Sequence, residues 1–306
     1  MKRSPRNRTL SLTDADRERL APQLTPLPDP LPDAAPLPDR VFHHDGPDLL
    51  RRLPPGSVDL LLADPPYNLS KHFNGTLFRR RPVEAYAEWL ETWLAPARCC
   101  LKPEASLYVC SDWFGSLSLA PVLARHYTLR NRITWEREKG RSAAANWKNA
   151  SEDIWFATVG PRYTFNADAV KSRRRVIAPY RVNGQPKDWS EEADGNFRLT
   201  GASNLWTDLS VPFWSMPENT DHPTQKPEKL VARLILASTR PGDLVCDPFL
   251  GSGTTAVVCK KLGRRFIGAE TEREYVLLAL KRLEQTRPGD PVQGYHDGVF
   301  RERNAR

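Results

Sequence analysis

Residues 57–68 read SVDLLLADPPYN. The run 57–63 is apolar with few polar breaks, the pattern of a strand buried on both faces. It ends at an acid, two prolines and a tyrosine. Two successive prolines restrict the backbone, so Asp64 and Tyr67 are held in set directions. A strand that needed only a turn has no use for that combination.

The flanking sequence makes this strand part of an α/β pattern. Tyr86, Trp89, Leu90, Trp93 and Leu94 fall at helical spacing and predict a covering helix. Further strands are predicted at 105–111, 132–136, 153–158, 243–247 and 265–269. A helix is predicted from about Thr254 to Gly263, and Val276, Leu280 and Leu283 give the last helix an apolar stripe. Strands alternating with helices predict a doubly wound, mostly parallel sheet. Such a sheet binds ligands beyond the carboxyl ends of its strands, where Asp64 falls.

Two segments depart from the pattern. Residues 1–38 begin basic and become proline-rich over 22–38, which predicts an extended arm. The alternation also lapses over about 171–215, which holds KSRRR at 171–175, and predicts an inserted lobe. Lys plus Arg outnumber Asp plus Glu by 45 to 37, a net charge of +8 that suits a polyanionic partner. The five cysteines lack C-x-x-C spacing and read as reduced thiols. The six histidines lack paired ligand spacing, so no metal site is expected. With no apolar run of membrane length and no signal-peptide centre, a cytoplasmic protein without membrane contact is expected.

A second motif lies at 245–255, VCDPFLGSGTT. It leaves a strand, turns through Gly251 and Gly253, and enters a helix. It is not a Walker loop, because Thr254 stands where lysine is required, and position 256 is Ala rather than the last glycine of a dinucleotide fingerprint. Glu270 ends the next strand, where an acid accepts hydrogen bonds from ribose hydroxyls, and Asp247 ends its own strand beside the turn. A ribose-bearing cofactor with a polar or cationic tail fits better than a pyrophosphate, and S-adenosylmethionine has that shape.

At the first motif, the Asp64 carboxylate and the Pro65 carbonyl are two acceptors held by the Pro65–Pro66 pair, with Tyr67 offering a stacking face. That is a grip for a planar group carrying an NH2. Two acceptors on its hydrogens favour a pyramidal nitrogen with its lone pair directed outward.

Together the motifs resemble those of the amino-methylating DNA methyltransferases in which the Asp-Pro-Pro-Tyr motif precedes the cofactor motif. The catalytic motif matches Asp64, Pro65, Pro66 and Tyr67, and the F-x-G-x-G cofactor motif matches Phe249, Gly251 and Gly253, with Ser252 and Thr254 in the same loop. The segment HPTQKPEKL, 222–230, resembles the family stretch that helps enclose the methionine part, which implies roles for His222, Thr224 and Lys226. The resemblance further implies that Glu270 binds ribose, that Asp45 contacts the cofactor adenine, and that Asp64 and Asp247 border the cofactor. NWKNASEDIWF, 146–156, resembles the strand-forming segment before the recognition region. The implied division is an arm at 1–38, a catalytic half at 39–170, a target-recognition region at 171–215, a cofactor half at 216–285 and a tail at 286–306.

The implied substrate is a base flipped out of double-stranded DNA. Lys71, Arg79, Arg80 and Arg81, in a basic stretch after the catalytic motif, are expected to contact DNA, as are Lys139 and Arg141 in a second loop and Arg173, Arg174 and Arg175 in the lobe. Within the family, Asp at the first motif position is more usual in adenine enzymes and Ser in cytosine enzymes, so adenine N6 is favoured over cytosine N4. A cytosine-C5 enzyme is disfavoured because the chain has no Pro-Cys pair. RNA or protein amino-methyltransferases usually carry the cofactor motif first. A non-catalytic DNA-binding module has no need of both motifs. A homodimer and a cognate restriction endonuclease are further partners that the resemblance admits.

Overall fold

The computed structural model describes residues 4–28, 39–73, 76–137, 145–177, 180–193 and 195–301. Its centre is an eight-stranded sheet of β1 (Arg40–His43), β2 (Val58–Ala63), β3 (Leu101–Ser111), β4 (Thr128–Glu136), β5 (Ser151–Thr158), β6 (Leu205–Trp206), β7 (Leu244–Asp247) and β8 (Arg265–Glu270). The spatial order is β1-β8-β7-β2-β3-β5-β4-β6. Pairing is parallel from β1 through β3, and β5 runs antiparallel to both β3 and β4. The sheet is thus mostly parallel, as the alternation predicts.

Residues of β2 bury both faces in turn. Leu60 and Leu62 join the core under α5 (Glu228–Ser238), α6 (Thr254–Leu262) and α7 (Arg273–Glu284). Leu61 and Ala63 join the opposite core, under α2 (Gly46–Arg52), α3 (Val83–Cys100) and α4 (Ser116–His126). A strand with helices on each side has no polar face to offer, hence its apolar run over 60–63. Strand β3 starts earlier than expected, at Leu101, and its register against β2 shifts between Val58 and Leu60. Pro103 lies in this irregular part, where a missing N–H is tolerated.

The expected extended arm contains a helix. In α1 (Asp14–Leu20), Thr13 accepts from the Asp16 N–H and the Asp16 carboxylate accepts from the Thr13 N–H, a reciprocal cap. The helix packs on α7, with Leu20 fully buried and Asp16 paired to Lys281 at 2.6 Å. Leu10 bridges Thr220, and Thr25 bridges Phe42 of β1.

The lobe and the chain end also join. Residues 190–192, 195–200, 172–175, 299–300 and 295–296 form, in that order, a five-stranded sheet. Phe300 pairs with Ser172 in register and is fully buried. Residues 295–300 therefore hold two strands that complete the sheet begun at 172–175, where the sequence reading expects a tail.

Candidate active site

Strand order brings the two motifs together. Central neighbours β7 and β2 pair in parallel, Cys246 opposite Leu61, so the glycine turn and the Asp-Pro-Pro-Tyr turn leave the same end of the sheet side by side. Next outward, β8 and β1 pair with His43 opposite Glu270. Asp64, Asp247, Glu270 and Asp45 thus line one cavity of about 690 Å³, a size that holds a ligand of nucleoside dimensions. A second cavity, of about 820 Å³, lies at the other end of the sheet, where Lys102 and Asp59 neutralise one another at 2.7 Å.

At the Asp-Pro-Pro-Tyr turn, Asp64 Oδ2 accepts from Lys226 Nζ at 2.5 Å, while Asp64 Oδ1 is buried without a hydrogen-bond partner. The Tyr67 hydroxyl donates to Glu152 Oε2 at 3.1 Å, and Lys226 Nζ stands 3.6 Å from the same oxygen. The other Glu152 oxygen pairs with Arg137. Burial, with the Asp64 charge next, pushes the Tyr67 phenol well above its ordinary range, so the hydroxyl stays a donor. The Tyr86 hydroxyl donates to the Pro66 carbonyl at 2.9 Å and fixes the proline pair from below. Buried Asn68 closes the following loop, donating to the Arg81 carbonyl and accepting its N–H.

The glycine turn is built to leave backbone exposed. Gly251 and Gly253 both have positive φ, +53° and +80°. The Gly251 N–H donates to Glu270 Oε2 at 2.9 Å, and the Glu272 N–H to Oε1 at 2.8 Å. Burial raises the Glu270 carboxyl, and these N–H groups oppose the shift. Asp247 accepts from Thr255 Oγ1 and from the Phe249 N–H, and burial pushes it up to about 7. Phe249 sets its ring edge-on to Trp93 at 5.2 Å. His222 packs on Tyr275 at 4.3 Å and accepts at Nδ1 from the Thr224 N–H. Asp45 lines the cavity while capping α2, accepting from the Asp48 N–H at 2.9 Å. Ser252 and Thr254 are held from behind by Arg282, fully inside the fold, which donates to the Ser252 carbonyl and to Thr254 Oγ1. The arrangement suits a cofactor with a ribose and a charged tail: acids at two strand ends and a turn without side chains.

A family model described as a DNA methylase of the N6/N4 type matches residues 58–281. The chain belongs to the N6-adenine/N4-cytosine DNA methylase family. The DNA adenine methyltransferase YhdJ of Escherichia coli is 34% identical over 251 residues, covering 80% of this chain and 82% of that protein. The type II methyltransferase M.BglII of Bacillus subtilis is 33% identical over 255 residues, covering 80% and 69%. Among solved structures, the M1.HpyAVI–SAM complex matches at 24% identity with a TM-score of 0.54, covering 80% of this chain and 98% of that one. The cytosine-N4-specific PvuII DNA methyltransferase matches at 21% with a TM-score of 0.57, covering 79% and 85%. These last two likenesses establish the fold. The protein is an S-adenosylmethionine-dependent DNA methyltransferase.

The methyltransferase places its expected DNA-facing residues unevenly. Arg79, Arg80 and Arg81 are exposed beside the catalytic turn, with the Arg80 guanidinium 3.3 Å from the centre of the Phe114 ring. Lys71 lies in a short strand, Lys71–Phe73, of the same loop. Lys139 and Arg141 lie outside the described residues. Arg174 and Arg175 are exposed on the small sheet. Arg173 departs from the expectation of a DNA-facing residue: it pairs with Glu192 at 2.6 Å and stacks on Phe197, so its charge is used within the sheet.

Sequence reasoning missed Glu152, Arg137 and Arg282. A clue existed for the first. Glu152 and Asp153 open a buried strand, SEDIWFAT, and a strand end carrying two acids among apolar residues signals a polar task. Because β5 is antiparallel to β3, its beginning lies at the ligand-binding end of the sheet.

Proposed function

We propose that this methyltransferase transfers the methyl group of S-adenosylmethionine to N6 of an adenine flipped out of double-stranded DNA. The observation that carries the reading is Asp64 Oδ1, a buried acceptor without a partner at the rim of the cofactor cavity. Leaving such an atom unsatisfied costs about 1–3 kcal/mol, a cost relieved when an amino hydrogen arrives. The name and closeness of the Escherichia coli relative support adenine over cytosine.

The cofactor supplies an electrophilic methyl carbon on a positively charged sulfur. Everything else falls to the chain. Asp64 and the Pro65 carbonyl accept the two amino hydrogens and turn the nitrogen lone pair toward the cavity. Tyr67 stacks on the flipped base, and extrusion from the duplex costs a few kcal/mol. Glu270 takes the ribose hydroxyls, Asp45 the cofactor adenine, and Gly251, Ser252, Gly253 and Thr254 give backbone access. Asp247 and Phe249 shape the floor, and His222, Thr224 and Lys226 border the methionine part. Arg79, Arg80, Arg81, Arg174 and Arg175 face phosphates, with Lys71, Lys139 and Arg141 assigned there from sequence. A second copy of the chain, a cognate endonuclease and a cytoplasmic setting complete the proposal. Among the described residues no helix is long and apolar enough to cross a membrane.

The test is mass spectrometry of nucleosides from unmethylated plasmid DNA incubated with the protein and S-adenosylmethionine. N6-methyladenine is expected. N4-methylcytosine would overturn the choice of base, and no methylated nucleoside would overturn the proposed substrate.

A further inference from the structure

Four alternating charges run beneath the catalytic turn: Arg137, Glu152, Lys226 and Asp64. They come from four separate parts of the chain, at the end of β4, the start of β5, the segment before α5 and the end of β2. The Glu152 and Lys226 side chains are only 3% and 11% exposed, so neither is an ordinary surface pair. Lys226 meets both carboxylates, with Asp64 Oδ2 at 2.5 Å and Glu152 Oε2 at 3.6 Å, and its ammonium lies 5.3 Å from the centre of the Tyr67 ring. Its backbone carbonyl accepts from Thr254 Oγ1 at 3.3 Å, which ties it to the glycine loop.

We infer that Lys226 and Glu152 are paired positioning residues for Asp64 and Tyr67, beyond any contact of Lys226 with the cofactor; the inference rests on the proposed role of Asp64. The two oxygens of a free carboxylate are equivalent. The Lys226 ammonium removes that equivalence by holding Oδ2, which leaves Oδ1, buried and without a partner, as the oxygen with acceptor capacity to spare. Glu152 sets the other end, because Oε2 receives the Tyr67 hydroxyl and draws the same ammonium. One carboxylate thus places the stacking ring and the ammonium that aims the acceptor. Misplacing an acceptor by about 1 Å is enough to cost roughly a hundredfold in rate.

The test uses full-length protein, unmethylated plasmid DNA and radiolabelled S-adenosylmethionine. Single-turnover rates are measured at saturating cofactor, and cofactor dissociation constants by calorimetry. Lys226→Gln is expected to slow methyl transfer at saturating cofactor about a hundredfold, a far larger factor than its loss of cofactor affinity, and Lys226→Arg to recover part of the rate. Glu152→Gln is expected to show the same pattern, and the Lys226→Gln/Glu152→Gln double variant to be no slower than Lys226→Gln alone. Three results would each overturn the inference: full recovery of Lys226→Gln at saturating cofactor, a cofactor affinity weakened in proportion to the rate, or additive effects. If Glu152→Gln does not fold, the lysine variants still decide. Asp64→Asn separates the two levels. An active Asp64→Asn removes the underlying reading, whereas an inactive Asp64→Asn beside a fast Lys226→Gln removes only the positioning pair.

Discussion

Gly253 and Ala279 meet where the glycine loop crosses α7: a Cβ on Gly253 would stand 2.6 Å from the Ala279 Cβ. The Gly253 φ of +80° adds a penalty for any L side chain. Gly253→Ala must therefore move the loop or the helix. A loss of about 1–3 kcal/mol in denaturant unfolding is expected, together with weaker cofactor binding by calorimetry. Wild-type values on both measurements would show that the loop yields freely.

Asp247 gives the fold a pH dependence. Burial raises its carboxyl from 3.8 to about 7 in the folded state, against the opposing hydrogen bonds from Thr255 and Phe249. Between those values the folded chain binds the proton and the unfolded chain does not. Stability contributed by this group is therefore present below the unfolded value and lost as pH rises to about 7. Buried Glu218, also raised to about 7 by burial and by the Glu228 charge, acts in the same direction. In Asp247→Asn the amide can keep both contacts without ionising. Its denaturation midpoint should fall less steeply across this pH range than that of the parent protein. Parallel slopes would remove Asp247 as the cause.

The amino-terminal segment is part of the folded unit. Leu20 is fully buried and α1 lies against α7, with Arg17 reaching Glu274 at 2.9 Å. Leu20→Ala is expected to cost about 2–5 kcal/mol, as for other buried leucines. A change below 1 kcal/mol in unfolding free energy would mean that the segment docks too loosely to matter.

The arginines can be sorted by salt. Each phosphate contact contributes about 0.9 to the slope of log affinity against log salt. Replacing exposed Arg79 and Arg81 by Ala should lower that slope by up to about 2 in fluorescence-anisotropy titrations with duplex DNA. Arg173→Ala should leave the slope unchanged, because its guanidinium is held by Glu192 and Phe197. Equal effects at all three positions would erase the distinction.

Much of the site was readable along the chain, because its parts are short and local. The apolar run into Asp64, the proline pair and the glycine turn between β7 and α6 each combine residues within a few positions of one another. Their chemistry follows from backbone restriction and from where a strand must end. Glu152 could not be placed that way. It lies 85 positions from Tyr67 and 74 from Lys226, and it reaches them only because β5 inserts antiparallel beside β3. Phe300 was equally silent, since a two-residue strand has too few positions to show a period until Ser172 lies beside it. Residue order thus established the two motifs, the strands that carry them and the class of reaction. Tertiary structure alone determined that Lys226 holds one Asp64 oxygen and leaves the other bare, because contacts between charges depend on strand order and pairing direction rather than on neighbours in sequence.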